Sequence, residues 1–340
     1  MKSTARLLTF FGILCLAATA SAQTPYTVTD LGTLSGNNYS AATGINSTGQ
    51  ITGSAGSVNT NTSQAFLYSH GTMTGLGTLG GTSGIGNAIN ASGQVAGYSQ
   101  NSKNTYRAFL ATGGTMTDIG DLGGGSAVAY GINDVGQVVG SAVTAAGENH
   151  PFLYSGGKMI DLGTLGSKNV DWWNVAQGIN NAGVIAGTSY DAQGNFFGFV
   201  WNNGKMVKMG TLGGAWSQAN AINNKNQITG LAYLTNGAAH GFISACPTCP
   251  MKDLGTVTGS TSTVWGIAIN DSGVVVGRTT SGNTYHAFIY SGGKMKDLNK
   301  MIPAGSGWVL IEADSINNAG QIVGQGTIGG KTHGYLLTPR

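Results

Sequence analysis

The sequence predicts an all-β fold, a seven-bladed β-propeller closed by its own N-terminal strand. Three observations predict it: a unit of 43 to 47 residues recurs seven times, each of the first six units holds four short β-prone runs, and the seventh lacks its fourth run. Propeller blades are four-stranded sheets that repeat every 40 to 45 residues or so, whereas hexapeptide and nonapeptide β-helices repeat far faster.

The third unit shows the pattern of runs and turns most clearly. Its first two runs, Ala129 to Asn133 and Gln137 to Ser141, are joined by a turn that begins with Asn and ends with Gly136. Asn bonds its own backbone there, and glycine supplies the positive φ of a type I turn with a G1 bulge. The runs His150 to Tyr154 and Met159 to Leu165 flank a second short turn. Each unit therefore predicts four antiparallel strands.

Several residue columns recur in register through the units. An Ile-Asn pair ends the first run of every unit, and the turn glycine after it changes only once, to Asn226, a residue type that also tolerates a left-handed backbone. The residues two and four positions before the Asn are small almost throughout, which suits strands that converge on an axis. An aromatic column predicts a core position in each blade: Phe66, Phe109, Phe152, Phe199, Phe242, Phe288 and Tyr335.

The two ends of the repeat region predict how the ring closes. The seventh unit stops at Pro339 after its third run, and the missing fourth run, Thr27 to Leu34, stands alone before the first unit. An open array would leave two unpaired sheet edges available to other chains. We therefore expect the N-terminal run to complete the last blade.

Residues 1–22 differ from the repeats and have the pattern of a secretory signal peptide. Lys2 and Arg6 are basic, Leu7 to Ala18 is apolar, and Ala-Ser-Ala at 20–22 is typical of a cleavage site. The alternative is a membrane anchor, but the apolar run is shorter than the ~18 residues that a membrane span needs. We expect one propeller domain over 23–340, secreted to the periplasm or the cell exterior, with no membrane span after cleavage.

Charge and composition limit the classes of partner. Loss of the leader leaves 14 basic and 13 acidic residues, so no basic face is available for nucleic acid. Glycine fills 58 of 340 positions, but the glycines recur in register, which indicates turns rather than disorder. We expect a monomer that needs no cofactor.

Three motifs resemble those of a known family. HAFIYSGGKMKDL at 286–298, GINDVGQVVGS at 131–141 and DLGTLG at 161–166 are similar to the HAF repeat family of probable extracellular proteins. The resemblance covers the chain after the leader, and it implies secretion and repeat architecture but no particular biochemical activity. Arg, Gln and Phe replace the histidine of the triplet in other units, so this column is not expected to bind metal. Its histidines are expected to make structural hydrogen bonds at the blade edge.

Two carboxylates form the best acid-base pair in the sequence. Glu312 and Asp314 lie two residues apart on the first run of the seventh unit, so an extended strand places both on one face near the axis. Such a pair can donate and accept protons. The alternative function is therefore a propeller-fold polysaccharide lyase or hydrolase that uses them.

Cys246 and Cys249 have the CxxC spacing of several site types. They replace a short turn of the fifth unit, and no helix follows to stabilise a thiolate. In a secreted chain this arrangement favours a structural disulfide over redox or zinc chemistry.

Aromatic residues outside the core column give the main functional prediction. The turns between runs one and two and between runs three and four are short, so the variable loops collect on the opposite face. We hypothesise that this face binds a polysaccharide or an envelope protein through flat aromatic side chains. The alternative is that these side chains fill the spaces between adjacent blades. The candidate binding residues are Tyr39, Trp172, Trp173, Trp216, Trp265 and Trp308.

Overall fold

The structure is a computed structural model that describes residues 25–167, 173–257, 262–281 and 284–340. The predicted signal peptide at 1–22 and the candidate Trp172 lie outside the described residues. No helix within the described ranges is long and apolar enough to cross a membrane.

Seven four-stranded antiparallel sheets form the ring of a seven-bladed β-propeller, as the repeats predict. Blades 1 to 3 contain β2 (Tyr39–Ile45), β3 (Ile51–Ser57), β4 (Thr62–Ser69) and β5 (Thr72–Gly77); β6 (Gly80–Ile89), β7 (Val95–Asn101), β8 (Tyr106–Thr112) and β9 (Thr115–Asp118); and β10 (Gly123–Ile132), β11 (Val138–Thr144), β12 (Asn149–Ser155) and β13 (Lys158–Asp161). The fourth run of the third unit is shorter than predicted, because β13 ends at Asp161.

Blades 4 to 7 repeat the same order of strands. They contain β14 (Val175–Ile179), β15 (Ile185–Tyr190), β16 (Phe196–Asn202) and β17 (Lys205–Lys208); β18 (Gly213–Ile222), β19 (Ile228–Leu234), β20 (Ala239–Ser244) and β21 (Lys252–Asp253); β22 (Val264–Ile269), β23 (Val275–Ser281), β24 (Thr284–Ser291) and β25 (Lys294–Asp297); and β26 (Trp308–Ile316), β27 (Ile322–Ile328) and β28 (Lys331–Pro339) with β1 (Tyr26–Asp30). A 3₁₀ turn at Leu298–Lys300 precedes blade 7.

The N-terminal strand completes the last blade. Strand β1 pairs with β28 in antiparallel register from Tyr26 opposite Pro339 to Asp30 opposite Tyr335. His333 Nδ1 also lies 3.0 Å from the Asp30 carboxylate. The predicted closure is therefore confirmed.

A ring of asparagines ties neighbouring blades together around the axis. The Asn of each Ile-Asn pair donates from Nδ2 to the main-chain carbonyl of the equivalent Asn in the next blade, over 2.8 to 3.3 Å. The seventh of these bonds runs from Asn317 back to Asn46. Each Oδ1 accepts from the N–H four residues on and so fixes its own turn. Aspartate lacks the donor, which explains why all seven positions are Asn.

The aromatic column packs against a glycine column that the sequence analysis missed. Each aromatic ring of the third strand is fully buried and lies opposite a glycine of the second strand, as Phe152 lies opposite Gly140. A Cβ at Gly140 would stand 2.0 Å from the Val128 carbonyl oxygen and 2.8 Å from the ring. The same crowding explains the other six glycines: Gly53, Gly97, Gly187, Gly230, Gly277 and Gly324.

The histidine column makes hydrogen bonds at the blade edge, as expected. In four blades Nδ1 lies 2.8 to 3.0 Å from an aspartate of the neighbouring strand, as between His150 and Asp161. In blade 4, Phe197 occupies the column, and Lys208 stands where the aspartate would be, with Nζ 3.6 Å from the ring centroid. The histidine column and the aspartate column therefore change together, which indicates a structural role within the blade.

Candidate functional site

Every innermost strand carries a β-bulge three residues before its Asn. A bulge leaves one residue unpaired and redirects its side chain. All seven bulge residues line a cavity of about 470 Å³ on the propeller axis, which we call the axial cavity. They are Thr43, Asn87, Tyr130, Gln177, Asn220, Ile267 and Asp314.

The isoleucines of the Ile-Asn pairs form an apolar collar around the axis. Five of the seven line the axial cavity, and all seven line a second cavity of about 200 Å³ beside the asparagine ring. The collar therefore separates the two cavities. The axial cavity lies on the side of the collar toward the variable loops, where Trp265 and Gln218 line it.

Three of the bulge residues also bond to the next blade. Asn87 donates from Nδ2 to the Ala129 carbonyl over 2.7 Å, and Asn220 donates to the Gly266 carbonyl over 2.8 Å. The Thr43 hydroxyl bonds to the carbonyl of Gly86. Each acceptor is the residue just before the next bulge. An ionised aspartate in this column has no proton to donate.

Glu312 is held in place at the wall of the axial cavity. Its Oε1 lies 3.2 Å from Nη1 of Arg278, and its Oε2 accepts from Nε2 of Gln325 over 3.1 Å. The Arg278 guanidinium in turn lies 4.5 Å from the ring centroid of Trp265 and 5.1 Å from that of Tyr285. An additional bulge between Leu310 and Glu312 sets this position.

Asp314 lies close to Glu312 but has a different environment. It makes no hydrogen bond or salt bridge with the described residues, although its side chain lines the axial cavity. Burial raises the pKa of Asp314 well above its usual range, and the charge of Glu312 adds to the rise while Arg278 opposes it. The structure thus brings the two predicted carboxylates together at the axis. Sequence reasoning missed Arg278, because the pairing of β23 with Trp265 is visible only in the folded blade.

The described residues do not include a metal centre. No group of three His, Cys, Asp or Glu side chains within them lies close enough together to hold an ion. Cys246 and Cys249 form the expected disulfide in the turn between β20 and β21.

A second cavity of about 470 Å³ lies between aromatic side chains of blades 4 and 5, and we call it the aromatic groove. Phe196 lies at its centre, with its ring centroid 5.8 Å from that of Trp173, 5.0 Å from Tyr190 and 5.6 Å from Trp216. Trp216 is supported from behind by Tyr233 at 4.1 Å. Gln218 lines both the groove and the axial cavity, so the two are neighbours.

The loop between β15 and β16 is tied down beside the groove. Asp191 accepts from the N–H groups of Gln193 and Asn195 over 3.1 and 2.9 Å, and its Oδ2 lies 3.3 Å from Nζ of Lys208. Loss of solvent opposes ionisation of Asp191, but these bonds outweigh it and lower the pKa of its carboxyl. The aspartate therefore fixes the loop that leads into Phe196.

The other predicted aromatic residues lie in different places. Trp308 is only 9% exposed and packs edge-on against Tyr335, with 6.0 Å between ring centroids. Trp265 lines the axial cavity, whereas Tyr39 lines a cavity of about 350 Å³ that also includes Tyr106. The structure therefore brings Trp173 and Trp216 together and places Tyr39, Trp265 and Trp308 elsewhere.

Comparison with known proteins identifies the fold. No family model matches the chain, and no curated protein matches its sequence. TolB from Acinetobacter baumannii is similar in structure, with a TM-score of 0.52 and 15% identity over 73% of this chain and 63% of that chain. A puromycin-hydrolyzing peptidase of Mycobacterium tuberculosis has a TM-score of 0.53 and 10% identity over 85% of this chain and 49% of that chain. This chain thus spans less than two thirds of either protein, and such low identity shows the fold alone.

Proposed function

We propose that the protein is a secreted, non-catalytic binding module of the HAF repeat type whose aromatic groove binds an extracellular glycan. The observation that supports this most directly is the exposed aromatic cluster, in which Trp173 is 53% exposed beside Phe196 and Trp216. The apolar faces of sugar rings pack on flat aromatic side chains, and Asn195 and Gln218 at the groove are available to hydroxyl groups.

The contrast with Trp308 supports a binding role for Trp173. Trp308 fills the core, as a side chain that only stabilises the fold does, whereas Trp173 leaves about half of its surface in water. Burial of apolar surface is worth about 25 cal/mol per Å². A ligand that covers Trp173 gains this free energy without unfolding any part of the blade.

Secretion is supported by the leader pattern and by the disulfide. Disulfides persist in oxidising compartments and are rare in the cytosol of mesophiles. Both the Cys246–Cys249 bond and the sequence of residues 1–22 therefore fit a periplasmic or extracellular location.

A glycan array with the wild-type protein and the Trp173→Ala variant tests the proposal. We expect binding of one glycan class by the wild type and at least a ~10-fold loss in the variant, because the removed ring contributes a hot-spot contact. Tyr106→Ala is the matched control, since Tyr106 is an exposed aromatic residue outside the groove. Retained binding by a folded Trp173→Ala protein contradicts the proposal, and a pull-down from envelope extract then tests a protein partner.

The second candidate function is a polysaccharide-acting enzyme. One specific observation favours it, namely that Glu312 is bound by Arg278 while the pKa of neighbouring Asp314 is raised, and unequal carboxyls are typical of acid-base pairs. Incubation with a polysaccharide panel and measurement of new reducing or unsaturated ends distinguishes the two functions. Turnover that disappears in both Glu312→Gln and Asp314→Asn supports the enzyme and refutes the non-catalytic assignment.

A further inference from the structure

The bulge column differs from every other column that faces the axis. Its flanking residues are small in nearly all blades, whereas the bulge residue changes from blade to blade. A position that only serves blade packing is repeated, as the buried aromatic column shows. The bulge keeps its geometry through its small neighbours, so its side chain is free to determine the chemistry of the axial cavity.

The charges at the cavity wall do not balance. The charged residues that line it are Arg278, Glu312 and Asp314. Arg278 forms a salt bridge with Glu312, and Gln325 occupies the second oxygen of that carboxylate. Asp314 has no such partner among the described residues. An uncompensated carboxyl away from bulk water is costly and is neutralised either by a proton or by a cation.

The wall also holds polar side chains. Asn220 uses its Nδ2 to bond the next blade, and its Oδ1 is buried and closed to solvent, so it does not bind a ligand. Gln177 and the 38% exposed Tyr130 face the same space. These groups can accept from and donate to ligand hydroxyls.

We propose that the axial cavity is a second binding site, for a hydroxylated primary amine such as an amino sugar, with its ammonium group on Asp314. Hydroxyl groups of the ligand bond to Gln177 and Tyr130 in the cavity wall. The cavity volume of about 470 Å³ lies within the range of ~300–1,000 Å³ of small-molecule sites, and the isoleucine collar forms its floor. This site does not depend on what the aromatic groove binds.

An amine fits these observations better than a metal ion or a neutral sugar. A divalent ion prefers six or more oxygen ligands, and both oxygens of Glu312 are already bound. A neutral sugar leaves Asp314 without a counter-charge. An ammonium ion supplies the charge and three hydrogen-bond donors.

Binding has a proton balance that can be measured. Where Asp314 is protonated, the incoming ammonium forms an ion pair with its carboxylate, and the displaced proton passes to solvent. The other titratable or charged groups near Asp314 are Glu312, Arg278, Tyr39 and Tyr335. Titration calorimetry in two buffers with different ionisation heats therefore gives different apparent enthalpies for an amine.

Calorimetry with glucosamine, glucose and N-acetylglucosamine tests the site, because these probes share a sugar ring and differ in charge. We expect saturable binding of glucosamine alone and at least a tenfold weaker affinity in Asp314→Asn, which keeps the shape but not the charge. Equal binding of all three sugars, or unchanged affinity in Asp314→Asn, overturns the proposal. Saturable heat with calcium chloride and none with glucosamine also overturns it, because the site would then bind a metal ion.

Two further variants separate this site from the aromatic groove and from folding defects. Trp173→Ala is expected to keep glucosamine affinity within twofold, whereas Gln177→Leu, which removes a polar group from the cavity wall, weakens it severalfold. If Trp173→Ala abolishes glucosamine binding and Asp314→Asn does not, the amine binds in the groove and the axial assignment is wrong. Thermal melting of each variant shows whether a loss reflects unfolding.

Discussion

Two rings of side chains surround the axis, and they differ in kind. The asparagine ring repeats one residue in all seven blades and closes on itself through hydrogen bonds. The bulge ring lies three residues earlier on the same strands and holds six residue types. A repeated residue therefore indicates a position that holds blades together. A variable residue between constant neighbours indicates a position that faces a ligand.

The strongest test of this comparison is a change in a constant column. We expect Gly140→Ala to lower the free energy of unfolding by about 3 kcal/mol or more, because the new Cβ would stand 2.0 Å from the Val128 carbonyl oxygen and β10 or the Phe152 ring must move. Gly210→Ala is the matched control, since nothing lies within 4 Å of its Cβ and its φ is not positive. Urea denaturation measures both. A Gly140→Ala protein as stable as the control would show that the column is not set by packing.

The next largest effect comes from comparing a substitution in the asparagine ring with one in the bulge ring. Asn133→Ala removes the bonds from Nδ2 to Asn180 and from the Gln137 N–H to Oδ1, so we expect a loss of about 2 kcal/mol. Asn133→Asp keeps the acceptor and loses the bonds that Nδ2 donates to the Asn180 carbonyl and to Oε1 of Gln137. Gln177→Ala in the bulge ring is expected to change stability by no more than ~0.5 kcal/mol. Equal losses in Asn133→Ala and Gln177→Ala would remove the distinction between the rings.

The sequence predicts the ring of blades because its constant columns lie at fixed spacing. Ile-Asn pairs, turn glycines and buried aromatic residues are each visible as identities, and the lone run before the first unit predicts the closure. The bulge column was missed because its residues are not identical, although small residues on both sides of it were visible. A variable position between two constant small residues is the signal that would have found Tyr130 and Gln177.

The candidate sites depend on contacts that sequence spacing does not contain. Trp173 and Phe196 meet only because the residue just before blade 4 lies beside the start of β16. Arg278 reaches Glu312 because β23 pairs with β22 and blade 6 lies next to blade 7. In contrast, Glu312 and Asp314 were recognised from their spacing alone, since both belong to one strand.

A smaller effect is expected at Asp314, because the carboxyl that we propose for ligand binding lowers the stability of the free protein at neutral pH. Between the usual aspartate pKa and the raised pKa of Asp314, the folded protein holds a proton that the unfolded chain has released. Stability therefore falls as pH rises through this interval. Asp314→Asn cannot ionise, so we expect it to raise Tm by a few degrees at pH 7. Its advantage should disappear near pH 3, where both states of the wild type are protonated. A variant that melts lower than the wild type at pH 7 would contradict this account.

The smallest effect is expected for the histidine–aspartate contacts at the blade edge. It tests whether one of these contacts closes the ring. His150 and His333 make the same bond to an aspartate of their own blade, but Asp161 follows His150 in the chain whereas Asp30 lies on the N-terminal strand. Partly exposed ion pairs are worth about 0–1 kcal/mol, and Gln64 occupies this column in blade 1. We therefore expect His150→Gln and His333→Gln each to cost less than ~1 kcal/mol.

Equal losses of stability in His150→Gln and His333→Gln would show that main-chain pairing, rather than side-chain contacts, closes the ring. Strand β1 is held by five register pairs with β28, and Asn317 bonds to Asn46 across the same junction. These interactions remain in His333→Gln. If His333→Gln destabilises the protein by several kcal/mol more than His150→Gln in urea denaturation, the His333 contact with Asp30 fastens the ring. The last blade would then differ from the others in its outer strand as well as at the axis.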